Sequence, residues 1–154
     1  MQASSLGHFM RESGPWTYAI VNLAHVLGIS TLFGSILVLD LRLVGVGRRV
    51  PLAFLSSAVV PVAATGFVIA ATTGVGLLAT KATEYVGNPF LLIKFPAIAL
   101  GLINAAVVRV TPAWRAHVTR DLTTREERQL RMLGGVSLLC WLTAITAGRM
   151  IAYW

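Results

Sequence analysis

Residues 16–42 read WTYAIVNLAHVLGISTLFGSILVLDLR. From Trp16 to Leu39 the stretch carries no charged side chain and one histidine, His25, before Asp40 and Arg42 close it. As a helix, these 24 residues would rise about 36 Å, enough to cross a hydrocarbon core of about 30 Å with some tilt. An imidazole inside hydrocarbon costs free energy unless it ligates, pairs or lines a polar cavity, so His25 is the position that most needs a reason.

The remainder of the chain has the same character. Of its 154 residues 56% are hydrophobic and 12% charged, with a mean hydropathy of +0.75. That is the composition of a chain whose solvent is lipid rather than water. A net charge of +7 would raise nucleic acid as a partner, but the basic residues flank apolar spans, as membrane topology requires, so no nucleic acid is expected. Cys140 is the single cysteine and has no partner for an internal disulfide, and there is no Cys-x-x-Cys-His motif for covalent haem. The first fifteen residues lack a short apolar core with a small-residue cleavage site, so the first span is read as its own insertion signal.

In chain order, Pro15 followed by Trp16 and Tyr18 reads as a helix start with an aromatic anchor at the interface. Gly45, Gly47, Arg48, Arg49 and Pro51 make a short basic turn. A second helix follows from Pro51 to Leu78, with Pro61 inside it. Gly66, Ala70 and Gly74 form a ridge of small residues at four-residue spacing, read as a packing surface for a helix of this chain or of another protomer. Asn88-Pro89 closes a polar hairpin and starts the third helix, which leaves the bilayer at Arg109. Thr111-Pro112 reads as an N-cap with proline at the first helical position, opening a short segment with Trp114, Arg115 and His117. Thr124 with Glu127 matches a capping box, starting the fourth helix in water before it enters the membrane after Arg131. Arg149, Tyr153 and Trp154 close it at an interface.

The expected fold is therefore all-α: an integral membrane four-helix bundle of one domain, up-down, with spans at about 16–39, 51–78, 89–109 and 131–153. The first and third connections hold nine basic residues against two for the N-terminal segment and second connection. The positive-inside rule then places both termini outside, in the periplasm for a bacterial inner membrane.

On a helical wheel Tyr18, Asn22, His25, Leu32, Ile36 and Asp40 share one face of the first helix, expected to point inward. Asn22 is one turn from His25 and could fix its tautomer. Lys94 and Arg149 each lie about 7 Å along their helices from the outer end. With His25 they form a cationic group of candidate cofactor-binding residues, joined by Asn22 and Tyr18, with Glu84 as the acid at matching depth. Such a surplus of donors invites an anionic ligand. Set against this, Lys94 and Arg149 can snorkel, His25 can be a structural hydrogen-bonded histidine, Asp40 can pair with Arg42 or Arg109, and His8 and His117 read as surface residues.

Several motifs carry a resemblance: His-x-x-Gly at His25 to Gly28, Gly34 and Ser35, Asp-Leu-Arg-Leu at Asp40 to Leu43, Asn88-Pro89-Phe90 through Lys94, and Ala147-Gly148-Arg149 to Tyr153. Together they resemble a family of small bacterial four-helix inner-membrane proteins without an assigned activity, across most of the chain. More distantly, the His-x-x-Gly helix is similar to the membrane superfamily of copper resistance protein D and cytochrome b. That likeness implies b-type haem with His25 as the iron ligand. The chain departs from the superfamily in having one histidine at membrane depth where bis-histidine ligation needs two. Met10, Met132, Met150 and Cys140 form no clustered soft-ligand site for copper.

Three functions are consistent with these residues. The first is a haem- or quinone-binding electron-transfer or anchor subunit, with Lys94 and Arg149 answering haem propionates or a quinone oxygen. The second is a structural or scaffold subunit in contact with membrane lipids, as a homo-oligomer or within a complex. The third is transport of a small anion or proton by an oligomer. No nucleophile–base pair, acidic dyad or phosphate-binding glycine loop is present, so independent catalysis is not expected.

Overall fold

The computed structural model describes residues 14–80 and 87–153. They form four long helices and two short ones: α1 (Gly14–Val44), α2 (Leu52–Thr80), α3 (Pro89–Val110), α4 (Pro112–Ala116), α5 (Thr124–Met150) and a terminal 3-10 turn, Ile151–Tyr153. No strand occurs among the described residues. The long helices are each apolar enough to cross a membrane, and only 17% to 33% of their most apolar windows is buried within the chain. Leu23, Val26, Leu92, Ile103 and Leu139 are among the large side chains left on the outside. This is the surface of a multi-pass membrane protein, whose outward apolar residues meet lipid.

Helix ends follow local chemistry. α1 runs past Leu39, where the apolar count stops, to Val44, because Asp40 and Arg42 do not break a helix. Gly45 and Gly47 do, at φ 122° and 65°, conformations that suit glycine. The Gly45 and Val46 amides then donate to the Leu41 carbonyl oxygen at 3.1 and 2.8 Å. At α3 the Asn88 side chain accepts from the Phe90 amide at 2.9 Å, with Pro89 in the first turn. Thr111 caps α4 by accepting from the Trp114 amide at 3.2 Å. α5 starts with a capping box, but one residue before the expected pair: Thr123 and Glu126. Both Thr-x-x-Glu pairs exist in the sequence, and Glu126 is the glutamate that also meets Arg120, at 2.7 Å.

The chain divides into two compact units, Met1–Ser35 with Pro61–Gly87, and Ile36–Val60 with Asn88–Trp154. In the first unit, the N-terminal part of α1 lies antiparallel to the C-terminal part of α2. The ridge of Gly66, Ala70 and Gly74 packs here, against α1 of the same chain. A Cβ on Gly66 would fall 2.5 Å from the Leu32 nitrogen, one on Gly28 would fall 2.7 Å from the Ala70 nitrogen, and one on Gly74 would fall 2.9 Å from His25 Cε1. Backbones this close need small residues at the crossing, which is how helices gain dispersion contacts in lipid.

In the second unit α3 lies antiparallel to α5. Asn104 Nδ2 donates to the Leu133 carbonyl oxygen at 3.0 Å, Trp141 covers Gly101, and the Lys94 stem runs beside Gly148. The C-terminal end of α1 also packs on α5, where Gly134 admits Leu43. Leu43, Leu52, Ala113 and Leu130 form a buried cluster flanked by Leu39, Val108, Trp114 and Leu122. α4 is pinned over it by His117, whose Nδ1 donates to the Trp114 carbonyl oxygen while Nε2 faces the Ser56 hydroxyl of α2 at 2.8 Å. His117 is thus a half-buried strut, not the surface residue expected. His8, Met10, Arg11, Lys81, Glu84 and Trp154 lie outside the described residues.

Candidate functional site: an arginine-lined cavity

The residues singled out in the first helix take different positions in the first unit. His25 is half-buried, whereas Asn22 and Tyr18 are exposed. The imidazole partner identified is Thr73 of α2, with Oγ1 3.1 Å from Nδ1. Thr73 has one hydroxyl proton, which it donates to the Ile69 carbonyl oxygen, so Nδ1 is the donor to Thr73. The tautomer-fixing role expected of Asn22 thus belongs to a residue 48 positions away. Besides His25, the described residues of this unit include no imidazole, thiol or thioether. A six-coordinate b-type haem, which needs two axial ligands, would have to take its second ligand from outside these described residues.

Lys94 and Arg149 belong to the second unit. Lys94 is half-buried, its Nζ 3.3 Å from where a Gly148 Cβ would stand. Arg149 is the next residue, rotated about 100° around α5, and its side chain is exposed. It donates to the Tyr153 hydroxyl at 2.7 Å and lies 5.0 Å over that ring. This is a surface stack closing α5.

Asp40 corrects a further expectation. The rim ion pair with Arg42 or Arg109 is not formed. Asp40 is 4% exposed, its carboxyl meets the Ser137 hydroxyl of α5, and Oδ2 has no hydrogen-bond partner. The Arg42 guanidinium instead donates to the carbonyl oxygens of Val50, at 2.7 Å, and Arg48, at 3.3 Å. It ties the α1–α2 turn to the end of α1.

That turn forms one wall of a cavity of about 330 Å³. Arg42 comes from the last turn of α1, Arg48 and Arg49 from the turn that follows it, and Arg120 and Arg131 from the segments around the start of α5. Asp121 and Glu127 are the acids of the lining, so five guanidinium groups against two carboxylates leave three positive charges in excess. Leu43, Leu52 and Leu130 of the buried cluster supply apolar wall, and His117 reaches the cavity from its strut position. Arg120 is held by two bonds to Glu126, at 2.9 and 2.7 Å. The hydrogen bond first, and then the charge, of Glu126 raise the Arg120 pKa above its ordinary value. Arg48 folds back over Gly45, its Nε 3.2 Å from where a Cβ there would lie, so glycine at that position also makes room for the guanidinium.

In the sequence these arginines read as topology signals, and the expected anion site lies at the opposite ends of the helices. The available signal was two arginine groups 71 to 89 residues apart, each beside a turn. Nothing in either group shows that they face one cavity. No group of three or more histidine, cysteine or acidic residues suited to a metal ion occurs among the described residues. No family model, curated protein or solved structure matches the chain.

Proposed function

We propose that this protein is an integral membrane subunit or scaffold of four spanning helices, up-down in topology, that carries out no chemistry of its own. Both termini lie in the periplasm of a bacterial inner membrane, and the arginine-bearing connections lie in the cytoplasm. The observation that carries the reading is how its intramembrane polar groups are used. His25 donates to Thr73, Asp40 meets Ser137, and Asn104 donates to the Leu133 carbonyl oxygen. Each contact joins two helices within one unit, and contacts of this type fix which faces meet when lipid supplies no hydrophobic drive between helices. For orientation, the support is the excess of nine basic residues over two on the short connections.

The competing function, haem or quinone binding through His25, is separated by one preparation. The purified protein is expected to show no Soret absorption, and His25→Ala is expected to lower its melting temperature in detergent. A Soret band in the wild type that disappears in His25→Ala would overturn the structural reading.

A further inference from the structure

We propose that the arginine-lined cavity of the second unit is a binding site for a phosphate-bearing anion, either a phospholipid headgroup or a free phosphate compound. The argument starts with the guanidinium groups, whose planar forks match phosphate oxygens in bidentate fashion. Arg42 and Arg120 are committed to fixed partners on the protein and act as the frame. Arg48, Arg49 and Arg131 make no side-chain hydrogen bond to another described residue. Their charge is therefore available to a ligand.

Shape and polarity agree with this ligand class. About 330 Å³ is at the small end of ligand pockets and accommodates a phosphate with a glycerol- or ribose-sized substituent. Leu43, Leu52 and Leu130 of the core cluster share the lining with the arginines, so the cavity offers apolar as well as cationic contacts to an amphiphilic phosphate. Its position also favours this chemistry. Arg42 is in the last turn of α1, and Arg131 is within the second turn of α5. Both mark the level where apolar spans give way to polar connections, which is the depth of lipid headgroups, and basic pockets between helix ends recognise anionic headgroups there.

The site extends the structural reading and does not depend on it, since a scaffold and a cofactor protein could both hold this anion. The test uses the full chain in detergent, titrated in parallel with phosphatidylglycerol, phosphatidylcholine and inorganic pyrophosphate, with complexes followed by native mass spectrometry. Saturable binding of phosphatidylglycerol in preference to phosphatidylcholine identifies the lipid as the source. Saturable binding of pyrophosphate that phosphatidylglycerol does not match identifies a free phosphate compound.

In either arm, replacing Arg48, Arg49 and Arg131 together by glutamine is expected to weaken binding about a hundredfold, from about one charge contact per arginine. The paired control Arg125→Gln with Arg128→Gln removes exposed arginines of α5 outside the cavity and is expected to leave affinity within about twofold. Should the triple variant fail to fold, the single Arg131→Gln, at an exposed position, is expected to weaken binding several-fold with an unchanged melting temperature. Absence of saturable binding to either probe, or equal losses in the cavity and control variants, would overturn the proposal.

Discussion

Replacing Gly66 by alanine would place a methyl carbon 2.5 Å from the Leu32 backbone nitrogen, 2.9 Å from the Gly28 carbonyl oxygen and 3.0 Å from Leu32 Cα. All three are backbone atoms, so no side-chain rotation can relieve the contact. Ordinary contact begins near 3.4 Å, which requires α1 and α2 to part locally by about 0.9 Å. Overpacking of this kind costs about 1 to 3 kcal/mol. The same displacement, carried two turns along α2, takes the His25 to Thr73 contact from 3.1 Å beyond hydrogen-bonding distance, for about 1 kcal/mol more. Alanine returns about 1 kcal/mol through better helix propensity. The net loss is about 1 to 3 kcal/mol, a fall of roughly 3 to 10 °C in melting temperature for a chain of this size. Circular dichroism of the purified protein in detergent measures it. Gly34→Ala in the same unit is the matched control, because a Cβ there meets nothing within 4 Å, and it is expected to hold or raise the melting temperature. If Gly66→Ala melts at or above the wild type, the close crossing of α1 and α2 is wrong.

Other substitutions test other contacts by the same melting assay. Thr123→Ala should cost about 1 kcal/mol as a lost N-cap, while Thr124→Ala should be close to neutral; the reverse order would return the capping box to Thr124 and Glu127. Ser56→Ala, which removes the hydroxyl facing His117, should cost about 1 kcal/mol, and an unchanged melt would show that α4 is held by apolar packing alone. Asn104→Leu should destabilise by about 1 to 3 kcal/mol, because the Leu133 carbonyl oxygen loses its side-chain donor and a larger branched side chain enters the α3–α5 contact. Tyr153→Phe removes only a surface hydrogen bond from Arg149 and should change stability by no more than a few tenths of a kcal/mol.

Much of the architecture was legible one helix at a time. Apolar runs of spanning length, Asn88-Pro89 and Thr111-Pro112 are local signals, and the structure places helices and caps where they point. Where a local signal existed twice, as with Thr123 and Thr124, the sequence could not choose. The glutamate that also meets Arg120 decided it. α1 outran its apolar pattern because a helix stops at a residue that must leave helical geometry, here Gly45, and not where hydropathy changes.

The candidate site was far less legible, and the reason is angular as well as topological. Asn22 and His25 are neighbours on a wheel, yet the partner identified for His25 comes from Thr73, since the wheel says which residues share a face but not which helix covers it. Asp40 is two residues from Arg42, about 200° around the same helix, so it faces α5 and meets Ser137 while Arg42 closes its own turn. The sequence by itself determined an all-helical membrane chain, its four spanning segments and most of their ends, since these depend on length, composition and residues a few positions apart. Only the tertiary structure decided the partners of the intramembrane polar groups and brought Arg42, Arg48 and Arg49 to one cavity with Arg120 and Arg131. Those depend on the rotation and register of helices far apart in the chain, which side-chain packing sets and composition does not encode.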